Sequence, residues 1–464
     1  MVYSKDHGVL AAKTLPYTPS VGDVYTQDAL AIMDAVMEIG CETADGYDVE
    51  AVALVGAWHS ILRCDQNMEP IGKAYTWANL DAKNIAARLR KDRSFTTHVY
   101  ESTGCMVHAL YPMLKLFYFR ENDLLPDNCL LTEIGSYLFF KLTGERLSTD
   151  SLWSGSCFYS YNEKHIDSLI LDRLGLKRDQ FGIPATHEDV RPLLPKWAKR
   201  LGIRPGIPVL PAMPDGGMNQ VGSGALKPGL MTLSVGTSAA LRVSSDLPRV
   251  SPGRETWCYR APDTYLCGAA VQGGTSCVDW FVRDVMDNRL SYTELNDIVE
   301  PSEIAPVFLP FLFGERCPGW RDDRQGGFYR LTGRHSYRDL YYAVLEGIIM
   351  NIAQCYRALR NLVGEPAEVH VSGGILKSPA WMQMLCDLLG RELYASQIDQ
   401  ASLLGGAVLA LNAVGQWPDI TDVPSQAVLV KPNPESQVFY DRRTTMYLEE
   451  YDKELQQNGL SGDR

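Results

Sequence analysis

Leu233-Ser234-Val235-Gly236-Thr237-Ser238-Ala239-Ala240-Leu241 reads as a strand, a Gly-Thr-Ser break and a resumed strand. A glycine at such a tip lets a phosphate approach the backbone closely, while hydroxyls and amide N–H groups supply donors that balance its charge. The triplet alone is also ordinary turn chemistry, so its meaning depends on what surrounds it. About twenty residues upstream, Asp215-Gly216-Gly217 forms a turn that carries a carboxylate into a helix-like stretch. Together the two segments can hold a nucleotide phosphate and set an acid beside it.

A second glycine site strengthens that reading. Glu368-Val369-His370-Val371-Ser372-Gly373-Gly374 is an apolar strand ending in two glycines. A new helix follows, with Ser378 as its N-cap and Pro379 at its first position. In open α/β sheets ligands bind beyond the carboxyl ends of the strands, and paired glycines there let a flat ring lie against backbone.

Short apolar strands alternate with amphipathic helices along the chain, which is an α/β signature. Residues 28–39 space Leu30, Met33, Val36 and Met37 at helical intervals, and a strand-like run over 51–55 follows. Residues 338–363 repeat the helical spacing and stop before Gly364, with the strand at 368 next. Another helix spans 402–414 and closes on Gly415. The cleanest boundary is the Lys227-Pro228-Gly229 turn. Two α/β lobes are expected, residues 1–227 and 228–464, with a cleft between them.

Bulk properties narrow the partners. The 464 residues are 45% hydrophobic and 22% charged, enough for two or three domains with proper cores. The net charge of −12, from 56 acidic and 44 basic residues with no basic run, argues against a nucleic-acid or anionic-membrane partner. Eleven scattered cysteines, odd in number and without a C-x-x-C pair, fit neither a disulfide framework nor a zinc site. The polar start and the lack of a long apolar stretch place the chain in the cytoplasm. Whether it works alone or as a homodimer is left open by the sequence.

Several ordered motifs resemble the FGGY carbohydrate kinases. Residues 103–116, Thr-Gly-Cys-Met-Val-His-Ala-Leu-Tyr-Pro-Met-Leu-Lys-Leu, look like the first family signature in its gluconate kinase form. Residues 310–320, including Gly314-Glu315-Arg316-Cys317-Pro318, resemble the Gly-Glu-Arg-x-Pro segment. The second signature is recognisable from Gly326 through Phe328 and Leu331 to Ala343, Leu345, Glu346 and Gly347.

This resemblance implies a two-lobe, ribonuclease-H-like fold of the actin type, with ATP and Mg²⁺ in the cleft. The lobe at 1–227 would bind sugar and the lobe at 228–464 nucleotide. The γ-phosphoryl group would pass to a hydroxyl of a sugar or sugar acid, gluconate first and a pentulose such as xylulose next. Asp215 would be the general base and the carboxylate facing Mg²⁺. Gly236, Thr237 and Ser238 match the phosphate loop, with Gly274 beside it, and Gly373, Gly374 and Ser378 match the adenosine site. Substrate candidates are Trp58 and His59 after the 51–55 strand, Trp77 as an apolar wall with an indole donor, and His108 and Tyr111 on the first signature.

Departures from the pattern carry expectations too. Trp77-x-Asn79-x-Asp81 stands where the family commonly has Trp-x-Asp-x-Arg, so a carboxylate substrate would meet Asp81 unless that side chain points away. Tyr118 replaces a signature tryptophan and Arg330 a glycine. The family begins with an apolar strand and an Asp-x-Gly-Thr loop, and Met1 falls inside its second strand. The chain is therefore expected to lack a first strand and phosphate loop, through a late start site, a fragment or a natural pseudokinase, and the retained Asp215 and glycine loops favour the late start.

Overall fold

The computed structural model describes residues 1–457. It opens with an antiparallel hairpin, β1 (Val2–Ser4) and β2 (Gly8–Ala11), which among the described residues pairs only with itself. Helix α1 (Ala29–Ala44) starts at Asp28, whose carboxylate accepts the N–H groups of Leu30 and Ala31 and so satisfies two orphan donors. Its Ile32, Met33 and Met37 are buried, while Leu30, also on the predicted apolar spacing, is exposed.

The strand expected over 51–55 is shorter than its apolar sequence implies. It forms a single bridge at Val52 and then β3 (Val55–Gly56), because the register slips by one residue between them, Val52 facing Val209 and Val55 facing Met213. Beyond it lie α2 (Lys83–Arg90) and α3 (Pro112–Glu121). The first half of the chain closes on β4 (Met213–Pro214), parallel to β3, which feeds directly into α4 (Asp215–Gly222).

The second half is built on one seven-stranded sheet. Its strands are β5 (Leu230–Val235), β6 (Ala239–Ser245), β7 (Trp257–Ala261) and β8 (Thr264–Val271), followed after α5 (Thr275–Trp280) and α6 (Tyr337–Val363) by β9 (Glu368–Gly373). Then come α7 (Pro379–Leu389), β10 (Leu393–Ser396), α8 (Ala401–Ala413), β11 (Ala427–Val430) and α9 (Gln437–Gln457). The spatial order is β7-β8-β6-β5-β9-β10-β11. Strands β5 to β8 pair antiparallel with one another, with β8 lying between β6 and β7, and β9 and β10 run parallel to β5 because helices carry the chain back across the sheet.

Met231, Leu233 and Val235 of β5 are wholly buried. Helix α6 packs on this sheet and is buried all round over 341–353, the behaviour of a helix enclosed in a core rather than lying on a surface. Its predicted start and stop agree with the structure to one residue.

Helices α4 and α8 touch backbone to backbone. A Cβ on Gly222 would strike the carbonyl oxygen of Ala401, and one on Gly405 would strike that of Met218. Ser402 at the start of α8 also donates to the backbone oxygen of Asp215 at 2.9 Å. The helix that begins with Asp215 is thereby fixed against the second half of the chain.

Candidate active site

Two glycine loops converge at the carboxyl ends of β5 and β9. Val235 and Gly373 are register partners in the parallel pair, so the Gly236-Thr237-Ser238 turn and the Gly373-Gly374 turn leave the sheet side by side. Gly274 completes the cluster: its N–H donates to the Thr237 carbonyl at 3.0 Å, and the Thr275 N–H to the Gly236 carbonyl at 2.7 Å. A Cβ on Gly274 would run into Gly236 and Ser238, and one on Gly373 into the Val235 carbonyl. Thr237 and Gly373 themselves are exposed to the cleft. Ser378 is placed differently from the expectation of a nucleotide contact. It is buried, and its hydroxyl accepts the Trp381 N–H at 3.3 Å as the N-cap of α7.

Asp215 is the first residue of α4, where unpaired N–H groups and the helix dipole favour an anion. Its Oδ1 accepts the Gly216 N–H at 2.7 Å. The side chain lies deep among its neighbours yet opens onto the cleft. Burial raises its pKa above the ordinary carboxylate value, against the opposing pull of Arg242 and of the Gly216 and Trp58 backbone. Arg242 of β6 lies over Gly216, where an added Cβ would stand 2.9 Å from Nε and 3.0 Å from Nη2. Arg242 is four residues beyond Ser238, about 13 Å along an extended strand, so acid and phosphate loop share one hairpin face.

Next to this face is a cavity of about 20 Å³ lined by Trp77, His108, Gln272, Glu315, Arg316 and Asp322, among others. That volume holds little more than a single water. The halves are tied across the cavity by Asp322, which pairs with Arg90 of α2 at 3.2 Å and with His108 Nε2. Because His108 Nδ1 accepts the Leu110 N–H at 3.2 Å, the ring proton sits on Nε2 and points at Asp322. Burial lowers the His108 pKa, outweighing Asp322.

Trp77 and His108 line the cavity, whereas Trp58, His59 and Tyr111 form an aromatic cluster with Tyr259 outside its lining. Trp58 gives its indole N–H to the Ser151 carbonyl at 2.9 Å and keeps only its ring face for the site. Tyr111 has no exposed surface, and its hydroxyl is joined to that of Tyr259 at 2.7 Å. His59 Nδ1 meets the Gly155 carbonyl, which can only accept; the proton is on Nδ1 and Nε2 is an acceptor. Burial, with Arg316 next, holds its pKa well below the ordinary value, so the ring is neutral.

Asp81 is exposed, receives the Asn79 amide at 2.9 Å and is not part of the cavity wall. The anticipated conflict with a carboxylate is absent because that side chain turns outward. Arg90, Arg242, Gln272 and Asp322 escaped the sequence reading, and Arg316 entered it only as part of the Gly-Glu-Arg-x-Pro segment, with no role assigned. One signal was there: Arg242 is a lone cation inside the apolar run 239–243.

Among the described residues no three His, Cys, Asp or Glu side chains gather to hold a metal. The glycine cradle, which a Cβ would fill, fits the phosphates of a nucleotide. A Mg²⁺ ion accompanying a nucleotide there would take most of its ligands from phosphate and water, and Asp215 is the carboxylate on this face that would be available to it. No helix of the described residues is long and apolar enough to cross a membrane.

Two halves that place paired glycine loops and a helix-start acid on one cleft define a two-domain kinase of the actin-like ATPase class. Residues 3–222 match the N-terminal domain and residues 231–414 the C-terminal domain of the FGGY family of carbohydrate kinases. The chain belongs to that family, whose kinases are ATP-dependent. It is 25% identical over 439 residues to a gluconokinase of Bacillus subtilis (strain 168), across 90% of this chain and 85% of that one. Its fold matches a gluconate kinase from Lactobacillus acidophilus with a TM-score of 0.86 at 26% identity, across 96% and 92% of the two chains. A ligand-bound xylulose kinase from the same organism matches with a TM-score of 0.87 at 26% identity, across 98% and 92%. The N-terminal match begins at residue 3 and lends no support to the expectation that a strand and phosphate loop are missing ahead of Met1.

Proposed function

We propose that this kinase transfers the γ-phosphoryl group of ATP to a hydroxyl of gluconate, with Asp215 as the general base. The observation that carries the reading is the placement of Asp215: at a helix start, open to the cleft, and on the hairpin face that ends in the 236–238 loop. The glycines at 236, 274, 373 and 374 leave the space in which the nucleotide lies against the backbone, and Ser378 supports them by capping the next helix. Asp215 accepts the proton of the attacking hydroxyl as the new oxygen–phosphorus bond forms; its pKa, raised by burial, brings it closer to that task than an exposed aspartate. When bound with the nucleotide, Mg²⁺ supplies charge neutralisation. His59 Nε2 accepts from a substrate hydroxyl, and Trp77 offers its ring to the C–H face of the chain.

Gluconate is favoured over xylulose because Asp81 points away from the cavity and because the matching relatives include gluconokinases. Residues 1–227 are assigned to the acceptor side and 228–464 to the nucleotide side. A coupled ADP-release assay with gluconate, xylulose and glycerol tests the reading. Turnover is expected to be fastest with gluconate. A clear preference for xylulose would reassign the substrate, and binding of nucleotide without turnover of any of the three would refute the kinase reading in favour of a sensor.

A further inference from the structure

We infer that Arg316 forms an oxyanion subsite that receives the carboxylate of the acceptor and so selects a sugar acid over a neutral sugar, with Arg242 adding positive charge from beside Asp215. The inference rests on the acceptor site proposed above. Arg316 belongs to the Gly-Glu-Arg-x-Pro loop and lines the cavity beside Trp77 and His108. Arg242 stands over Gly216 next to Asp215.

Neither guanidinium has a hydrogen bond or an ion pair within 4.0 Å among the described residues, and the Nε of each is shielded from solvent without an acceptor. Arg63 also leaves its Nε without an acceptor, yet there another guanidinium nitrogen donates to the Leu124 carbonyl, which neither Arg242 nor Arg316 matches. Arg443 places Nε 3.0 Å from both Glu346 oxygens and Nη1 2.8 Å from the Ala305 carbonyl. A buried donor left unmade is costly, and two cations in electrostatic reach of each other add to the cost. Burial first, with Arg316 contributing, lowers the Arg242 pKa.

The carboxylates nearby do not resolve this excess. Asp215 is one anion against two cations. Glu315 is taken by Arg324 at 2.9 Å and Tyr451 at 2.6 Å, and Asp322 by Arg90 and His108. An incoming anion with two oxygens matches the donor fork of a guanidinium. Phosphoryl oxygens are the other anionic group in the cleft, but the 236–238 loop serves them at the hairpin tip. Arg316 faces the sugar cavity instead. The acceptor thus lies with its reacting hydroxyl toward Asp215 and its carboxylate toward Arg316, the two groups at separated positions on its chain.

The test is calorimetric titration of the full chain, without nucleotide, with gluconate and with glucitol, which lacks the carboxylate. Arg316→Met is expected to weaken gluconate about 10- to 100-fold and to leave glucitol within about threefold, with Arg316→Lys intermediate because it keeps charge but not the fork. Arg242→Met should cause a smaller loss for gluconate than Arg316→Met, because its charge acts from beside Asp215 and not on the carboxylate directly. Binding of a non-hydrolysable ATP analogue, unchanged in both variants, reports that they remain folded. Equal weakening of gluconate and glucitol would overturn the inference, as would a loss confined to the ATP analogue, which would assign the guanidiniums to the phosphoryl group. Wild-type chain that binds gluconate through Arg316 yet never turns it over would remove the kinase reading while leaving this subsite standing.

Discussion

Val235 and Gly373 stand in register at the carboxyl ends of two neighbouring parallel strands, so close that a Cβ on Gly373 would strike the Val235 carbonyl. Gly373 also has a φ of +94°, a region that side chains other than glycine rarely enter. The two loops of the proposed nucleotide site are thus a single object, held by sheet pairing.

Gly373→Ala is expected to push those loops apart. Strain of about 1–3 kcal/mol falling on the bound conformation raises KM for ATP by about 5- to 150-fold. The acceptor KM should move little. Steady-state kinetics with each substrate varied in turn checks this, and an unchanged KM for ATP would show that the glycine serves packing alone.

Asp215→Asn removes the proton acceptor while preserving size and the Gly216 hydrogen bond. A fall in kcat of about 10²–10⁴ is expected, with nucleotide affinity measured by titration nearly intact. Activity needs the ionised acid, so kcat/KM falls as the pH drops through a pKa that burial has raised. Deleting the neighbouring cation in Arg242→Met should move that acid limb to still higher pH. An acid limb that stays in place would show that Arg242 does not act on Asp215.

Stability should pass through a shallow minimum near neutral pH because of two enclosed groups. Glu133 is buried and its pKa is raised to about 7, so the unfolded chain releases its proton first and stability declines between about 4.5 and 7. Lys115 has no exposed surface, donates to the Ala109 and Leu110 carbonyls and has a pKa lowered to about 7. The unfolded chain then binds the extra proton above that value, so stability rises between about 7 and 10.5. Each slope approaches about 1.4 kcal/mol per pH unit at most. Denaturant melts across pH should lose the acidic slope in Glu133→Gln and the alkaline slope in Lys115→Met.

Arg330 occupies a left-handed position, φ +61°, where the family pattern has glycine. It is held there by Glu450 at 2.7 Å and Glu449 at 2.5 Å on α9. Arg330→Ala loses the ion pairs and keeps the strain, whereas Arg330→Gly loses the pairs and relieves it. The glycine variant should be the more stable of the two by about 1 kcal/mol in thermal or urea melts. Equal stability would mean that the loop relaxes out of this conformation in both.

Much of the site was legible locally. The hairpin at 230–245, the Asp215 turn and the strand ending at Gly373 are each short-range patterns in which turn residues interrupt apolar runs, and the chain folds them as read. The cap at Ser378 was also local, yet its placement at the helix start takes its hydroxyl away from any ligand. Trp58 and Tyr111 were harder. Each is a ring with a polar tip, and the sequence does not say whether that tip meets substrate or, as here, Ser151 and Tyr259 from distant segments.

The amino-acid order by itself determined the α/β class, the glycine loops and the acid at 215, because those depend on backbone preferences acting over a few residues. Only the tertiary structure decided which charges stand together in the cleft. Asp322 closes on Arg90 and His108 across more than two hundred residues, and Asp81 turns to Asn79 and out of the cavity. Arg242 and Arg316 are left without a partner among the described residues. Ion pairing acts through space, and no local pattern records which residues the packed lobes bring within reach.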